Sequence, residues 1–92
     1  MSEYIEISTE EGDDAGSLHF YTNLRLTDGE IEEYESPQEM ELGSPLAQAL
    51  AVVSGLSFLR LDNDELFIRR QPDADWHAII EDITSVLKDF FL

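Results

Sequence analysis

The side chains best suited to metal binding or acid–base chemistry are two histidines and many carboxylates, since the sequence contains no cysteine. Without thiols the chain has no disulfide framework, no cysteine-ligated iron–sulfur cluster and no cysteine nucleophile. His19 and His77 are far apart in the sequence and neither stands in a zinc-ligand motif. We expect His19 to face solvent from a strand and His77 to lie on the polar side of the last helix.

Four carboxylates occur close together in residues 10–16 (EEGDDAG). Their spacing does not match the twelve-residue EF-hand loop, with its sixth-position glycine and terminal bidentate glutamate, so a solvated loop is favoured over a calcium site. No nucleophile–base pair or glycine-rich phosphate loop is present. Paired carboxylates carry little information in so acidic a chain. The sequence therefore predicts no catalytic, cofactor-binding or metal site and no enzyme.

The charge is the unusual feature of the composition, with 21 acidic and 5 basic residues and a formal net charge of −16. Such a surface repels nucleic acid and anionic membranes. Two interpretations remain open. Acidic, lysine-poor surfaces are typical of salt adaptation, and a specific acidic surface would instead serve a basic partner. The acids are spread along the whole chain, which favours salt adaptation.

One stretch, residues 44–61 (SPLAQALAVVSGLSFLRL), organises the chain. Ser44 is a natural helix N-cap, and Pro45 occupies the first helical position, where its missing N–H has no cost. Apolar residues at helical spacing predict a helix over residues 45–54, which Gly55 can end in a left-handed conformation. An apolar strand over residues 56–61 follows at once. This stretch is a packing nucleus and carries no reactive group.

Periodicity and turn residues predict the other elements. The predicted strands cover residues 4–9, with Ile5 and Ile7 inward, residues 17–22, a short third strand over 31–34, and residues 66–70, which form a hairpin with 56–61 through the connection 62–65. One or two helical turns run from the Ser36 capping box to Gly43. A last helix, capped by Asp73 or Asp75, runs to about residue 91.

This order of elements, β-β-(β)-α-β-β-α, predicts an α+β fold in which helices pack on one face of an antiparallel sheet. We expect a single domain over residues 1–92, because a chain of this length supports one modest core. The last helix carries an apolar stripe that we expect to cover the sheet rather than to bind a partner helix. The residues that we expect to be largely buried are Leu50, Leu56, Ile68, Ile80 and Ile83.

Five segments, taken in order, resemble the N-terminal domain of the NifU-like (Nfu) iron–sulfur scaffold family. Residues 17–20 (SLHF) are similar to that family's T-L-K-F strand, and residues 44–47 (SPLA) to its S-P-L-A helix start. Residues 54–56 (SGL) resemble its helix-to-strand junction. Residues 64–68 (DELFI) resemble its second hairpin strand, and residues 75–76 (DW) the start of its closing helix.

The chain departs from the family pattern in three respects. The family commonly has T-P-N-P before the second strand, whereas residues 10–16 contain no proline, and His19 stands where the family has a lysine. Full-length relatives carry a Cys-x-x-Cys motif on a separate C-terminal domain, and no such motif occurs in this sequence. The resemblance therefore implies a stand-alone N-terminal-type domain, or one cut from a longer protein, that cannot hold a cluster by cysteine ligation.

As a function, the resemblance implies a non-catalytic accessory domain of iron–sulfur cluster assembly that binds a protein partner, either a scaffold or a client. The alternatives are a general acidic interaction module and a salt-adapted domain of unrelated function. We expect no cofactor, no nucleic acid and no membrane contact, and the oligomeric state stays open. The first residues (MSEYIEI) lack the basic and apolar regions of a secretory signal, and the absence of cysteine is compatible with the cytoplasm, where we expect the protein.

Overall fold

Five strands form one antiparallel sheet in the order β1-β2-β5-β4-β3 in the computed structural model, which describes residues 5–91. The expected α+β class and antiparallel sheet are confirmed. The elements in chain order are β1 (Ile7–Glu11), β2 (Ser17–Thr22), β3 (Glu32–Tyr34), α1 (Pro37–Glu41), α2 (Pro45–Leu50), β4 (Leu56–Asp62), β5 (Glu65–Arg70) and α3 (Trp76–Phe91).

The core lies between the three helices and one face of the sheet. Leu18 and Phe20 of β2 lie beside Leu66 and Ile68 of β5 on this face, as period-two alternation requires. Helix residues complete the same cluster, so the helices cover this side of the sheet. The opposite face is called the open face below. The fully buried large side chains are Phe20, Met40, Leu50, Leu56, Leu59, Leu61, Leu66, Ile68, Ile79, Ile83 and Leu87.

Helix α2 begins where the sequence predicts and ends earlier. Ser44 Oγ accepts a hydrogen bond from Ala47 N at 3.3 Å, so the predicted N-cap is confirmed. The helix stops at Leu50 instead of residue 54 because the chain tightens there, with Val53 N donating to Leu50 O at 3.1 Å in an i→i−3 bond. The adjacent β-branched valines have low helix propensity, which favours this early end.

The predicted short helix after Ser36 is also confirmed. Ser36 Oγ accepts from Glu39 N at 3.2 Å, and Met40 is buried against the core. The Glu39 carboxylate accepts from Glu35 N at 3.1 Å rather than from the N–H of Ser36. The reciprocal bond of the capping box is therefore shifted by one residue toward the N-terminus.

Strand β1 runs later than the sequence predicts. Glu10 and Glu11, expected in a loop, pair with His19 and Leu18 of β2. A charged sequence is tolerated there because β1 is an edge strand with one side open to water. Ile7 is half-buried against the core, Ile5 lies just outside the strand and is half-buried, and Tyr4 lies outside the described residues.

The hairpin connection is shorter than the predicted residues 62–65. Asp62 and Glu65 pair with each other as the last rung of the β4–β5 ladder, which leaves a two-residue turn. Asn63 takes a left-handed conformation there, with φ +54°, which asparagine tolerates well. The third strand begins at Glu32, and Ile31, expected in that strand, precedes it and is exposed.

Helix α3 begins at Trp76 after Asp75, whose Oδ1 accepts from His77 N at 3.2 Å. Ile79 and Ile83 are buried on the face that covers the sheet, which confirms the expected covering role of the stripe. Ile80, expected to be largely buried, is partly buried and packs against the edge of the core cluster. The apolar stripe is wider than the surface that the helix buries. Ile79, Ile83 and Leu87, at positions i, i+4 and i+8, already fill the contact between α3 and the sheet.

We expect Gly55→Ala to destabilise the protein by about 1–2 kcal/mol or more, because two effects add at this position. Gly55 has φ +93°, which L-residues rarely adopt. A Cβ there would also lie 2.7 Å from Cβ of Ala74, in the loop before α3. Urea denaturation followed by circular dichroism measures the loss.

Gly29→Ala is the matched control for this prediction. Gly29 has φ +100°, but a Cβ there would meet no atom within 4 Å. This variant therefore reports the backbone strain alone, and its cost should be the smaller of the two. Equal losses would show that the close approach of Ala74 to Gly55 contributes nothing.

Candidate interaction surface

Alternate residues of the strands project from the open face, and four rings collect at its centre. His19 and Tyr21 come from β2, Phe67 from β5 and Phe58 from β4. We call these four residues the aromatic cluster. Strand order creates it, since β5 inserts between β2 and β4 and places Phe67 beside His19.

The rings of the aromatic cluster contact one another at ordinary aromatic distances. The His19 and Phe67 ring centroids are 4.7 Å apart, and Phe58 meets Phe67 edge-on at 6.1 Å. Tyr21 stacks nearly parallel to His19 at 6.0 Å. Pairs at 4.5–7 Å in tilted or edge-on geometry contribute about 0.5–1.5 kcal/mol each beyond area burial. The cluster is therefore a preformed surface, and its members stay partly exposed.

Two arginines lie among these rings. The guanidinium carbon of Arg69 is 5.6 Å from the Phe67 ring centroid, within cation–π distance. Arg60 pairs across the ladder with Phe67, and its Nε is 3.8 Å from Glu33 Oε2. That Nε is buried and has no hydrogen-bond partner among the described residues. Two of the five basic residues of the chain thus lie on the open face.

Carboxylates surround the aromatic cluster and outnumber its arginines. His19 Nδ1 is 3.9 Å from Glu65 Oε1. The pKa of Tyr21 is raised, first because partial burial disfavours the phenolate and then because Glu10 and Glu65 repel it. Tyr21 therefore keeps its proton and can donate a hydrogen bond. The carboxylates of this acidic rim are Glu10, Asp13, Asp14, Glu33, Glu35, Asp62 and Glu65.

The loop between β1 and β2, residues 12–16, forms a second, smaller site of contacts beside the sheet. Trp76 Nε1 donates to Ala15 O at 2.8 Å, and Arg70 Nε donates to the same carbonyl at 3.2 Å. Arg70 also lies over the Trp76 ring at 5.4 Å. These hydrogen bonds attach the loop at Ala15 to the start of α3. A groove lined by other residues of the loop and by Ile80 lies beside this attachment. These contacts are structural and leave no group poised for chemistry.

The two histidines do not come together. His19 lies on the face opposite the core, as expected, but is half-buried among rings instead of facing solvent freely. His77 is exposed on α3, with Nε2 3.3 Å from Glu81 Oε1. Within residues 5–91, no three His, Asp or Glu side chains are arranged to hold a metal ion. No helix in that part of the chain is long and apolar enough to cross a membrane.

We expect the purified chain to retain neither iron nor a cluster after anaerobic reconstitution, because it has no thiolate and its histidines are separated. Metal analysis and visible absorption, measured after gel filtration, provide the test. Mononuclear iron held weakly by carboxylates is removed by that step. A stoichiometric cluster on the monomer would contradict the prediction.

Sequence reasoning did not identify the aromatic cluster or the acidic rim. Each strand shows only that His19, Phe67 and Arg69 lie away from the core. Their proximity depends on the pairing of β2 with β5, whose residues are more than forty positions apart. The alternation of large side chains on the non-core positions of both strands was the one available signal.

The family model described as the N-terminal part of the scaffold protein Nfu/NifU matches residues 7–92. The chain therefore belongs to the Nfu/NifU N-terminal family, which is linked to iron–sulfur cluster scaffolding and is not a family of enzymes. The resemblance expected from the sequence segments is confirmed. No curated protein sequence matches the chain.

Solved structures show the same fold. The NifU-like protein from Saccharomyces cerevisiae has a TM-score of 0.77 and 21% identity, over 97% of this chain and 82% of the other. Protein SAV1430 from Staphylococcus aureus has a TM-score of 0.72 and 13% identity, over 89% and 98%. A Staphylococcus epidermidis protein has a TM-score of 0.59 and 17% identity, over 92% and 98%. At these identities the likeness concerns the fold alone.

Proposed function

We propose that this chain is a non-catalytic interaction domain of iron–sulfur cluster assembly, and that it binds a scaffold or client protein through the open face. In this proposal residues 1–92 form one domain, hold no cofactor and act in the cytoplasm. Family membership supports the process, and the partly exposed aromatic cluster supports the surface. Aromatic and arginine side chains are enriched where proteins bind one another.

The observation that carries the proposal is the position of the aromatic cluster opposite the core. Phe58 and Phe67 are large apolar side chains on a face that the three helices do not cover. A solvated sheet face needs no such residues, since polar side chains suffice on the water side of an antiparallel sheet. A cluster of rings with arginines at its edge is typical of a binding surface.

Capture of partners by the tagged chain, at its native ionic strength, tests the proposal. Wild type is compared with Phe67→Ala and with Val52→Ala, because Val52 is an exposed apolar residue in the turn after α2. Iron–sulfur scaffolds with Cys-x-x-Cys motifs, or their apoprotein clients, should be enriched by wild type and Val52→Ala. Phe67→Ala should lose them.

The same experiment decides against the proposal if the captured proteins share only basicity. Binding that is lost at moderate salt and is equal for wild type and the two variants would favour the general acidic interaction module. Capture of no iron–sulfur protein by any bait would favour a salt-adapted domain of unrelated function.

A further inference from the structure

We infer that the open face takes a basic, partly apolar segment of its protein partner. In this arrangement lysine or arginine side chains of the partner meet the acidic rim, and its apolar groups lie on the aromatic cluster. The inference rests on the proposed function and specifies the partner's chemistry. It follows from the distribution of apolar groups, charges and unused acceptors on this face.

The centre of the face fits apolar groups. Phe67 is surrounded by His19 at 4.7 Å, Phe58 at 6.1 Å and the guanidinium of Arg69 at 5.6 Å. These contacts hold the rings in place before a partner arrives, so little side-chain entropy is lost on binding. Exposed ring faces also attract cations of the partner.

The rim fits hydrogen-bond donors. The two arginines of the open face approach carboxylates of the rim without making direct hydrogen bonds to them. The closest separations are 3.8 Å from Arg60 to Glu33, 3.9 Å from Arg60 to Asp62 and 3.8 Å from Arg69 to Asp14. Carboxylate oxygens at these distances keep lone pairs for stronger, charge-assisted bonds. Lysine or arginine side chains of a partner would supply those donors.

Charge decides between the possible occupants. A second copy of this chain would bring another acidic rim against the first, on molecules that each carry a net charge of −16. Like charges across an interface oppose association, and nucleic acid or an anionic membrane meets the same repulsion. A basic protein segment with apolar side chains satisfies both the rim and the aromatic cluster.

The experiment uses the full chain and a synthetic peptide in which lysine alternates with leucine and phenylalanine. Isothermal titration measures its dissociation constant for wild type, for Glu33→Gln/Glu65→Gln and for Asp82→Asn/Asp89→Asn. Each double variant removes two negative charges, from the open face in the first and from exposed positions of α3 in the second. A peptide with glutamate in place of lysine is the ligand control.

We expect the open-face variant to weaken binding about two- to thirty-fold, as loss of two partly exposed charge pairs implies, and the α3 variant to weaken it less than about two-fold. Phe67→Ala should weaken binding about tenfold or more, and Val52→Ala should leave it unchanged. Circular dichroism of every variant verifies that it folds. If Phe67→Ala fails to fold, the charge-matched pair still decides.

Equal weakening by the two double variants would overturn the inference, because the peptide would then sense only the total charge. Absence of binding to wild type would overturn it as well. Either result leaves the proposed function to the capture experiment, where loss of iron–sulfur proteins with Phe67→Ala would still support the open face. The two failures are therefore distinguishable.

Discussion

Ile83→Ala is expected to lower the free energy of unfolding by about 2–5 kcal/mol, and Leu50→Ala by a similar amount. Both side chains are fully buried, Ile83 on the sheet-facing side of α3 and Leu50 at the end of α2. Removing either leaves a cavity that the surrounding helices and strands cannot fully close. Small domains are stable by only about 5–15 kcal/mol, so each variant loses a large part of that margin.

Urea denaturation at a fixed, high salt concentration measures this loss. Val52→Ala is the matched control, since Val52 is 76% exposed and its truncation should change stability by less than about 0.5 kcal/mol. Losses near zero for both core variants would mean that the packing of α2 and α3 on the sheet is wrongly described.

Salt should raise the thermal midpoint clearly between low ionic strength and 1 M sodium chloride. The chain has a net charge of −16, and its excess carboxylates repel one another more in the folded state than in the expanded unfolded chain. The electrostatic screening length shortens from about 10 Å at 0.1 M salt to about 3 Å at 1 M salt, and most of that repulsion is then removed. Each kcal/mol so gained raises the midpoint by about 4–8 °C in a domain of this size.

Salt also weakens favourable ion pairs, but the pairs among residues 5–91 stabilise the fold too little to offset the relief of repulsion. Every such pair has an N–O separation of 3.3–3.9 Å. Exposed pairs contribute about 0–1 kcal/mol each, and two of these depend on a protonated histidine.

A melting series by circular dichroism measures the effect, and potassium chloride should act like sodium chloride because screening is independent of the cation. A flat or falling midpoint would contradict the prediction. It would also favour a specific acidic binding surface over salt adaptation.

Local chemistry made much of the fold predictable. Ser36 and Ser44 cap their helices as their positions indicated, and the apolar face of β5 is the one that alternation predicts. These features depend on residues within one helical turn or one strand. The family resemblance rested on such local segments, which is why it could be found without the structure.

Other features depend on tertiary contacts and could not be predicted. Glu10 and Glu11 join β1 because β2 supplies partners for their backbone groups, whatever their propensity. The aromatic cluster and its rim need the strand order, since His19 and Phe67 are distant in sequence. Ile80 is half-buried because α3 buries a narrower stripe than its composition suggests.

The open face as the binding surface is the central claim, and amide chemical-shift mapping tests it most directly. Isotope-labelled chain would be titrated with a purified Cys-x-x-Cys domain of an Nfu scaffold. We predict shifts concentrated in β2, β4 and β5, with His19, Arg60 and Phe67 among the largest. Shifts confined to the exposed side of α3, or spread evenly over the acidic surface, would contradict the account.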